Sequence, residues 1–268
     1  MNIDVASAYS ATGAAWQDGP GRIYDRLAEV LVERCPTVQD GAFVLDIGAG
    51  TGAATRAAQR YGASVVALDA AIGMLAADAA RRPPAAVGDA IALPFASHTF
   101  HAAIAAFLLN HVADPAAALR EAARVLRPGG AIVASAYAAD DHHPVKGAVE
   151  AAAAARGWVE EAWYAALRRD IVPMMATVER CAGIAAAAGL IGAAAEQVSV
   201  PFPDLGPGDL VAWRLGMAQL APFVDRLPPS ERHALAADAL ARLGDDAPTL
   251  TRSIVVLTFV DRPQQTSQ

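Results

Sequence analysis

The chain has 268 residues and a formal net charge of -7, from 21 Lys plus Arg against 28 Asp plus Glu. Apolar residues make up 54% and charged residues 18%, which excludes a disordered chain and leaves ample material for one large core. The acidic balance gains no counterion-release term from a polyanion, so nucleic acid is not expected as a main partner.

Residues 1–40 read as helical. Ile23, Leu27, Val30 and Leu31 recur at helical spacing and Pro36 stops the run. A looser stretch with Tyr9, Trp16 and Tyr24 precedes them. From 43 to 138 short β-rich runs alternate with helical ones. Strands are expected at Phe43–Ile47, Ser64–Asp69, Ala85–Gly88, Phe100–Phe107 and Ala131–Tyr137. Helices are expected over Ala53–Tyr61, from Asp69 through Met74 to Ala80, and from Asp114-Pro115 onward. Strands alternating with helices imply a parallel sheet covered on both faces. Residues 145–190 read as helical with a break at Pro173, and Glu196–Phe202 as a sixth strand. Residues 208–243 read as helical, broken at Pro222 and Pro228-Pro229. Ile254–Val260 is the last strand, and the polar tail from Pro263 is expected to fray. One domain with helical insertions is the simplest account.

Cys35 and Cys181 form no CxxC pair, which suggests buried thiols in a reducing compartment. Asp4 and the lack of a basic segment before an apolar run argue against a secretory signal. The longest uncharged stretch, Cys181–Ala195, falls short of the roughly 20 strongly apolar residues of a membrane helix. A cytoplasmic protein with no membrane partner is therefore expected.

The strongest signal is Val44-Leu45-Asp46-Ile47-Gly48-Ala49-Gly50-Thr51-Gly52. An apolar strand runs into three glycines spaced by two and then into a helix. Glycine serves where the backbone turns sharply or meets a ligand closely, and helix N-terminal amides attract negative groups. Asp69 ends the next strand, where a carboxylate typically accepts from a ribose diol. These features describe a site for a nucleoside-containing cofactor. A nicotinamide dinucleotide is one candidate, since Gly48, Gly50 and Ala53 satisfy the GxGxxG/A spacing. Asp46 opposes it, because its charge would repel a pyrophosphate and suit a cation. Asp89, at the end of the third strand, adds another carboxylate, and Arg127-Pro128-Gly129-Gly130 precedes strand five as a tight turn.

The segments VLDIGAGTG, VVALDAAIGML, GDAIALPFASHTF, LLNHVADPAAALREAARVLRPGG and AIVASAY follow in order between Phe43 and Ala138. Together they resemble the core of class I S-adenosylmethionine-dependent methyltransferases, in the branch similar to the ubiquinone and menaquinone biosynthesis enzymes. The resemblance implies a doubly wound, mostly parallel seven-stranded sheet with a reversed last strand, a Rossmann-like methyltransferase fold with helical insertions. It implies a helical lid over 1–40, a cofactor-binding core over 41–138, inserts over 139–250 forming an acceptor pocket around strand six, and the last strand over 251–262. The implied cofactor is S-adenosyl-L-methionine. Gly48, Ala49, Gly50 and Gly52 would lie under its methionine part, with Asp46 near the ammonium or sulfonium. Asp69 would hold the ribose hydroxyls, and Ala70 and Met74 one face of the adenine. Asp89 and the Ala90 N–H would meet the adenine edge, and Ala106 and Phe107 would face the reactive centre. One departure is His101, where many relatives carry Asp at a position that usually supports local structure.

Methyl transfer from a sulfonium needs alignment first, and a base only where the acceptor carries a proton. His111 after strand four and His143 in Asp140-Asp141-His142-His143 are the candidate bases. His111 can instead pack against the next helix, and the 140–143 run can be a solvated loop; no metal site is expected. Tyr9, Trp16 and Tyr24 are placed as a lid, with Arg22 meeting the cofactor carboxylate. Trp158, Trp163, Tyr164, Met174, Met175, Trp213, Met217 and Phe223 concentrate in the inserts, which suits a small, largely apolar acceptor. They can equally be insert core. The expected activity is methyl transfer to O, N or C of a small molecule by a monomer or homodimer. The rivals are an NAD-dependent oxidoreductase and a non-catalytic S-adenosylmethionine-binding protein.

Overall fold

Phe43–Ile47 carries apolar side chains to both faces, and it becomes the first strand (β1) of a central sheet. The computed structural model describes residues 5–77 and 79–261; Asp4 and the tail from Pro263 lie outside the described residues. The sheet continues with β2 (Ser64–Asp69), β3 (Ala85–Val87), β4 (Phe100–Ala106), β5 (Leu126–Tyr137), β6 (Ala194–Phe202) and β7 (Leu250–Val260). Their spatial order is β3-β2-β1-β4-β5-β7-β6. Pairings from β3 through β5 are parallel, and β7 runs antiparallel to both β5 and β6. The seven-stranded, mostly parallel sheet with a reversed last strand is thus the observed fold. The order reverses between β1 and β4, and the crevice beyond the carboxyl ends of those strands is where open α/β sheets bind ligands.

Twelve α-helices accompany the sheet among the described residues: α1 (Val5–Ser10), α2 (Gly13–Asp18), α3 (Gly21–Val32), α4 (Ala53–Arg60), α5 (Ile72–Ala76), α6 (Pro115–Val125), α7 (Val145–Ala154), α8 (Ala162–Ala166), α9 (Val178–Ala187), α10 (Pro207–Leu215), α11 (Ala221–Arg226) and α12 (Pro229–Leu243). Alternation along β1 sends Val44 into one core and Leu45 and Ile47 into the other. The first core is closed by α3, α4, α7, α10 and α12, and the second by α6 and α9. On α3 the stripe Ile23, Leu27 and Leu31 is fully buried. Each such side chain contributes about 1.5–3 kcal/mol. Asp114 caps α6 by accepting from the Ala117 N–H at 2.8 Å, and Pro115 occupies its first turn.

Several boundaries differ from expectation for local reasons. The helix expected through Ala80 ends at Ala76. The Arg127–Gly130 turn is built into β5 as an irregularity: Phe100 pairs with Leu126 and Ala102 with Ala131, and Gly129 has φ 83°. The 145–190 helix is three helices, with a π turn at Leu167–Ile171 and a 3₁₀ turn at Val172–Met175 that holds Pro173. Pro222 opens α11 instead of breaking a helix, because the first turn needs no N–H there. His101 keeps the supporting task of its position. Its Nδ1 accepts from the Phe43 N–H at 2.8 Å, and its carbonyl accepts from Thr37 Oγ1 at 2.8 Å.

The loop after β5 is tied down. Asp141 receives the buried Arg252 guanidinium through two hydrogen bonds and the Ser253 N–H at 2.8 Å, locking that loop to β7. Asp140 accepts from Gln197 Nε2. Both cysteines are free and buried. Among the described residues, no helix is long and apolar enough to cross a membrane.

Candidate active site

The turn after β1 is held by backbone groups. The Gly48 and Ala49 N–H groups donate to the Leu68 carbonyl at 2.7 and 3.0 Å, which wraps the loop over the end of β2. Gly48 and Gly50 adopt φ of 70° and 54°, a region that costs a residue with a Cβ about 1–2 kcal/mol. A Cβ on Gly48 would also meet the Leu108 side chain at 2.7–3.1 Å. Gly52 caps α4 in the left-handed region. The half-buried Asp69 carboxylate is aimed by two amides: Gly50 N–H donates to Oδ2 and Ala71 N–H to Oδ1, each at 2.7 Å. Burial raises its pKa against those hydrogen bonds. Each oxygen keeps a further lone pair for a donor.

Asp46 is fully buried beneath this loop. Its Oδ2 accepts from Thr55 Oγ1 at 2.6 Å, and its Oδ1 has no hydrogen-bond partner among the described residues. Burial is the main cause that pushes its pKa up to about 6, with the Asp69 charge adding and Thr55 opposing. A buried, unpartnered carboxylate oxygen costs about 1–3 kcal/mol or more, a cost that a positive group nearby would offset. Two carboxylates by the glycine turn fit the positive end of a nucleoside cofactor, and the Arg56 and Arg82 guanidinium groups, 3.4 and 3.8 Å from where a Gly52 Cβ would stand, suit a single carboxylate beside it.

The remaining expected residues fall into two sets. Ala49, Met74, Ala90 and Phe107 are buried. Met74 Cε lies 3.4 Å from where a Gly50 Cβ would stand, so Met74 closes one side of the turn. Ala70 is exposed, Asp89 is exposed at the end of β3 with Oδ1 accepting from the Ile91 N–H, and Ala106 is half-buried. Phe107 sits at the end of β4 with φ 54°. A bulky residue in that conformation stores strain of the kind found at ligand clamps. Arg22 does not join this group. It is exposed, pairs with Asp209 at 2.6 Å, and lines a small cavity with Gly19, Leu205 and Trp213.

The N-terminal segment packs against the end of β4 and the turn after it. Rings run in sequence from Tyr9 to Trp16 (5.6 Å), Trp16 to Tyr24 (4.9 Å) and Tyr24 to Phe107 (5.3 Å). Helix α1 seats on α5 where a Cβ on Gly73 would collide with the Ser10 carbonyl. Tyr9 Oη lies 2.9 Å from His111 Nε2, and His111 Nδ1 lies 2.9 Å from the Phe107 carbonyl. A carbonyl only accepts, so the ring proton belongs on Nδ1 and Nε2 accepts from Tyr9. Burial lowers the His111 pKa to about 4. Burial first, and the charges of Tyr24, Tyr164 and Asp69 after it, hold Tyr9 well above the usual phenol range. The pair is neutral at pH 7.

His143 corrects the expectation of a second base. Its Nδ1 accepts from the Val145 N–H at 3.2 Å and its Nε2 meets the Pro248 carbonyl at 2.9 Å. Both nitrogens are spent on holding the start of α7 against the loop before β7. The insert residues Met175, Trp213 and Met217 are buried in the cores. Sequence reasoning missed Leu108 over Gly48, the Gly73 contact, and the pairing of Asp141 with Arg252. The first two leave a weak signal as small or apolar residues beside known motifs. The pairing leaves none, because its two residues are far apart in the chain.

Known proteins bear on this geometry. Residues 45–134 match the family model described as a methyltransferase domain. A demethylmenaquinone methyltransferase of Mycolicibacterium paratuberculosis is 43% identical over 129 residues, covering 48% of this chain and 54% of its own. The chain spans about half the length of the curated relatives it matches. Among solved structures, phosphoethanolamine N-methyltransferase 2 of Haemonchus contortus, in complex with S-adenosyl-L-methionine, superposes with a TM-score of 0.56 at 21% identity, covering 89% of this chain and 53% of that one. The [4+2]-cyclase SpnF superposes with a TM-score of 0.53 at 22% identity, covering 89% of this chain and 81% of that one. The likeness in fold therefore includes a protein described by a different reaction.

Proposed function

We propose that this chain, whose residues 45–134 match a methyltransferase-domain family model, is a class I S-adenosylmethionine-dependent methyltransferase that moves a methyl group to O, N or C of a small, largely apolar molecule. The observation that carries the reading is the loop at 48–52 set over the unpartnered Asp46 oxygen and beside the amide-aimed Asp69. S-adenosylmethionine, when bound, supplies a methyl group on a sulfonium leaving group. Asp46 offers its buried charge to the positive methionine end. Asp69 accepts from the ribose hydroxyls, Ala70 and Met74 flank the adenine, and Asp89 with the Ala90 N–H meets its edge. Gly48, Ala49, Gly50 and Gly52 give the cofactor a surface free of side-chain bulk. Ala106 and Phe107 face the reacting atoms.

Residues 1–40 act as the lid, 41–138 as the cofactor core, and the inserts of 139–250 as the acceptor pocket around β6. Tyr9 and Trp16 exclude water from the crevice, and alignment there can contribute on the order of 7–11 kcal/mol. Where the acceptor carries a proton, His111 Nε2 receives it after the acceptor displaces the Tyr9 hydroxyl. The Phe107 carbonyl fixes the tautomer that keeps Nε2 available. The protein works in the cytoplasm on a free small molecule, as a monomer or homodimer. Its acidic balance and the absence of a membrane-length helix among the described residues support that placement.

Incubation with methyl-labelled cofactor and a host metabolite extract, followed by mass spectrometry, tests the reading. One or more labelled small molecules are expected. Cofactor binding with no labelled product in any extract fraction would favour a non-catalytic binding protein.

A further inference from the structure

The side chains around the acceptor side hold one unbalanced positive charge. Phe107 packs on Tyr137 at 4.6 Å, and behind them stand Arg252 and Arg214, exposed by only 7% and 6%. Both guanidinium groups face the Trp213 ring, at 4.7 and 5.3 Å from its centre. Arg252 spends its Nε and Nη2 edge on Asp141. The same edge of Arg214, Nε and Nη2, has no hydrogen-bond partner among the described residues. Its nearest carboxylate oxygen in a recorded ion pair is Glu150 Oε1, 3.6 Å from Nη2. That is beyond hydrogen-bond distance, and Oε1 is itself unpartnered. Glu150 gives its other oxygen to Lys146 Nζ at 2.7 Å. Two cations therefore share one carboxylate, while Arg252 and Asp141 balance each other. The buried Trp213 Nε1–H also lacks an acceptor among the described residues.

We infer that the acceptor carries a carboxylate, and that Arg214 seats it on its Nε–Nη2 edge. The inference rests on the methyl-transfer reading and adds a charged end to an otherwise apolar acceptor. Two parallel N–H donors on a planar group match the two oxygens of a carboxylate. One surplus cation balances one negative charge, whereas a phosphomonoester brings nearly two. The rest of the acceptor lies on the Phe107 side of this cluster, where the Tyr24 and Tyr137 rings meet Phe107 at 5.3 and 4.6 Å, which suits an aromatic or otherwise apolar body. Arg214 is a specificity residue here and takes no part in bond making.

The test uses the full chain saturated with S-adenosylhomocysteine, whose own binding is measured first. Failure of that first binding would count against the methyl-transfer reading, separately from the carboxylate. Benzoate, 4-hydroxybenzoate and phenylacetate are then titrated by calorimetry beside their methyl esters and phenyl phosphate. The acids are expected to bind at least tenfold more tightly than their esters. Arg214→Gln should erase that preference while leaving S-adenosylhomocysteine affinity within twofold, and Arg214→Lys should restore part of it. Trp213→Phe, which keeps the ring and removes the N–H, should weaken the acids by a smaller factor. Equal binding of acids and esters, no binding of any acid, or a preference for phenyl phosphate would overturn the proposal. An acid preference that survives Arg214→Gln in folded protein would do the same, and would leave Arg214 as a partner of Glu150 and Tyr164.

Discussion

The Gly48–Gly52 loop and the proposed acceptor side come together at the turn after β4, where Leu108 lies over Gly48 and Phe107 meets Tyr137, yet they are made from different materials. The loop keeps its shape through amides on the Leu68 carbonyl and the Asp69 carboxylate, so its specification lies within about twenty residues of sequence. The proposed acceptor side is assembled from side chains of α1, α3, β5, α7, α10 and β7, and contacts that build it span a hundred residues or more: Tyr9 with His111, Arg252 with Asp141. A site built from backbone must use glycine at fixed spacing, and that spacing is visible in the chain. A site built from distant side chains places no such demand on neighbours in sequence.

If the two regions are separable in function, their variants should separate too. The largest effect is expected for His111→Ala with an acceptor that carries a proton. Removal of a positioned base should lower kcat by about 10²-fold or more, with S-adenosylhomocysteine affinity by calorimetry unchanged. Because burial holds His111 near 4, it stays neutral from pH 5 to 8. No rate step with a midpoint at 6.5 is expected in the kcat profile. Equal losses in kcat and cofactor affinity would show that the regions are not separable.

On the loop side, Asp69→Ala should weaken cofactor binding by about 1–3 kcal/mol through lost charge-assisted hydrogen bonds. Equilibrium titration should show that loss with little change in acceptor KM. Unchanged affinity would mean that the ribose lies elsewhere.

Asp46 sharpens the comparison through pH. Its pKa is raised to about 6 without cofactor, and a cation beside it favours the charged form. Below pH 6 the site must give up a proton as it binds, so S-adenosylmethionine affinity should fall as pH drops from 7 to 5. Calorimetry in buffers of different ionisation enthalpy should register the released proton, and Asp46→Asn should abolish it. The same shift has a consequence for stability. The native state keeps a proton on Asp46 that the unfolded chain loses above about 3.8, so this contribution is present at low pH and is lost as pH rises through 6.

The smallest effect is expected for His143→Ala. Loss of its hydrogen bonds to the Val145 N–H and the Pro248 carbonyl should cost about 0.5–2 kcal/mol of stability, read as a lower Tm, with kcat retained. A collapse in kcat at unchanged Tm would return His143 to the reaction.

The strands and the loop were legible because each signal is local. β2 occupies the predicted span, and Asp114-Pro115 opens α6 where a cap followed by proline should. The Arg127–Gly130 segment read as a turn because its glycines are punctuation in sequence; in the sheet they absorb a register change beside β4. In the 145–190 region only the break at Pro173 was legible, because alanine hides the others, and the π turn beside it follows from tertiary packing that no short pattern records. Asp140-Asp141-His142-His143 looked like free chemistry because its partners, Gln197, Arg252 and Pro248, lie 57, 111 and 105 residues away.

On the proposed reading, the turn at 48–52, with Asp46 beneath it and Asp69 beside it, receives a sulfonium nucleoside. Titration of the same protein with S-adenosylhomocysteine and with NADH measures this most directly. Binding of S-adenosylhomocysteine at one site per chain, weakened by Asp69→Ala, with no heat from NADH, is the predicted result. Saturable binding of NADH with S-adenosylhomocysteine inert would contradict it.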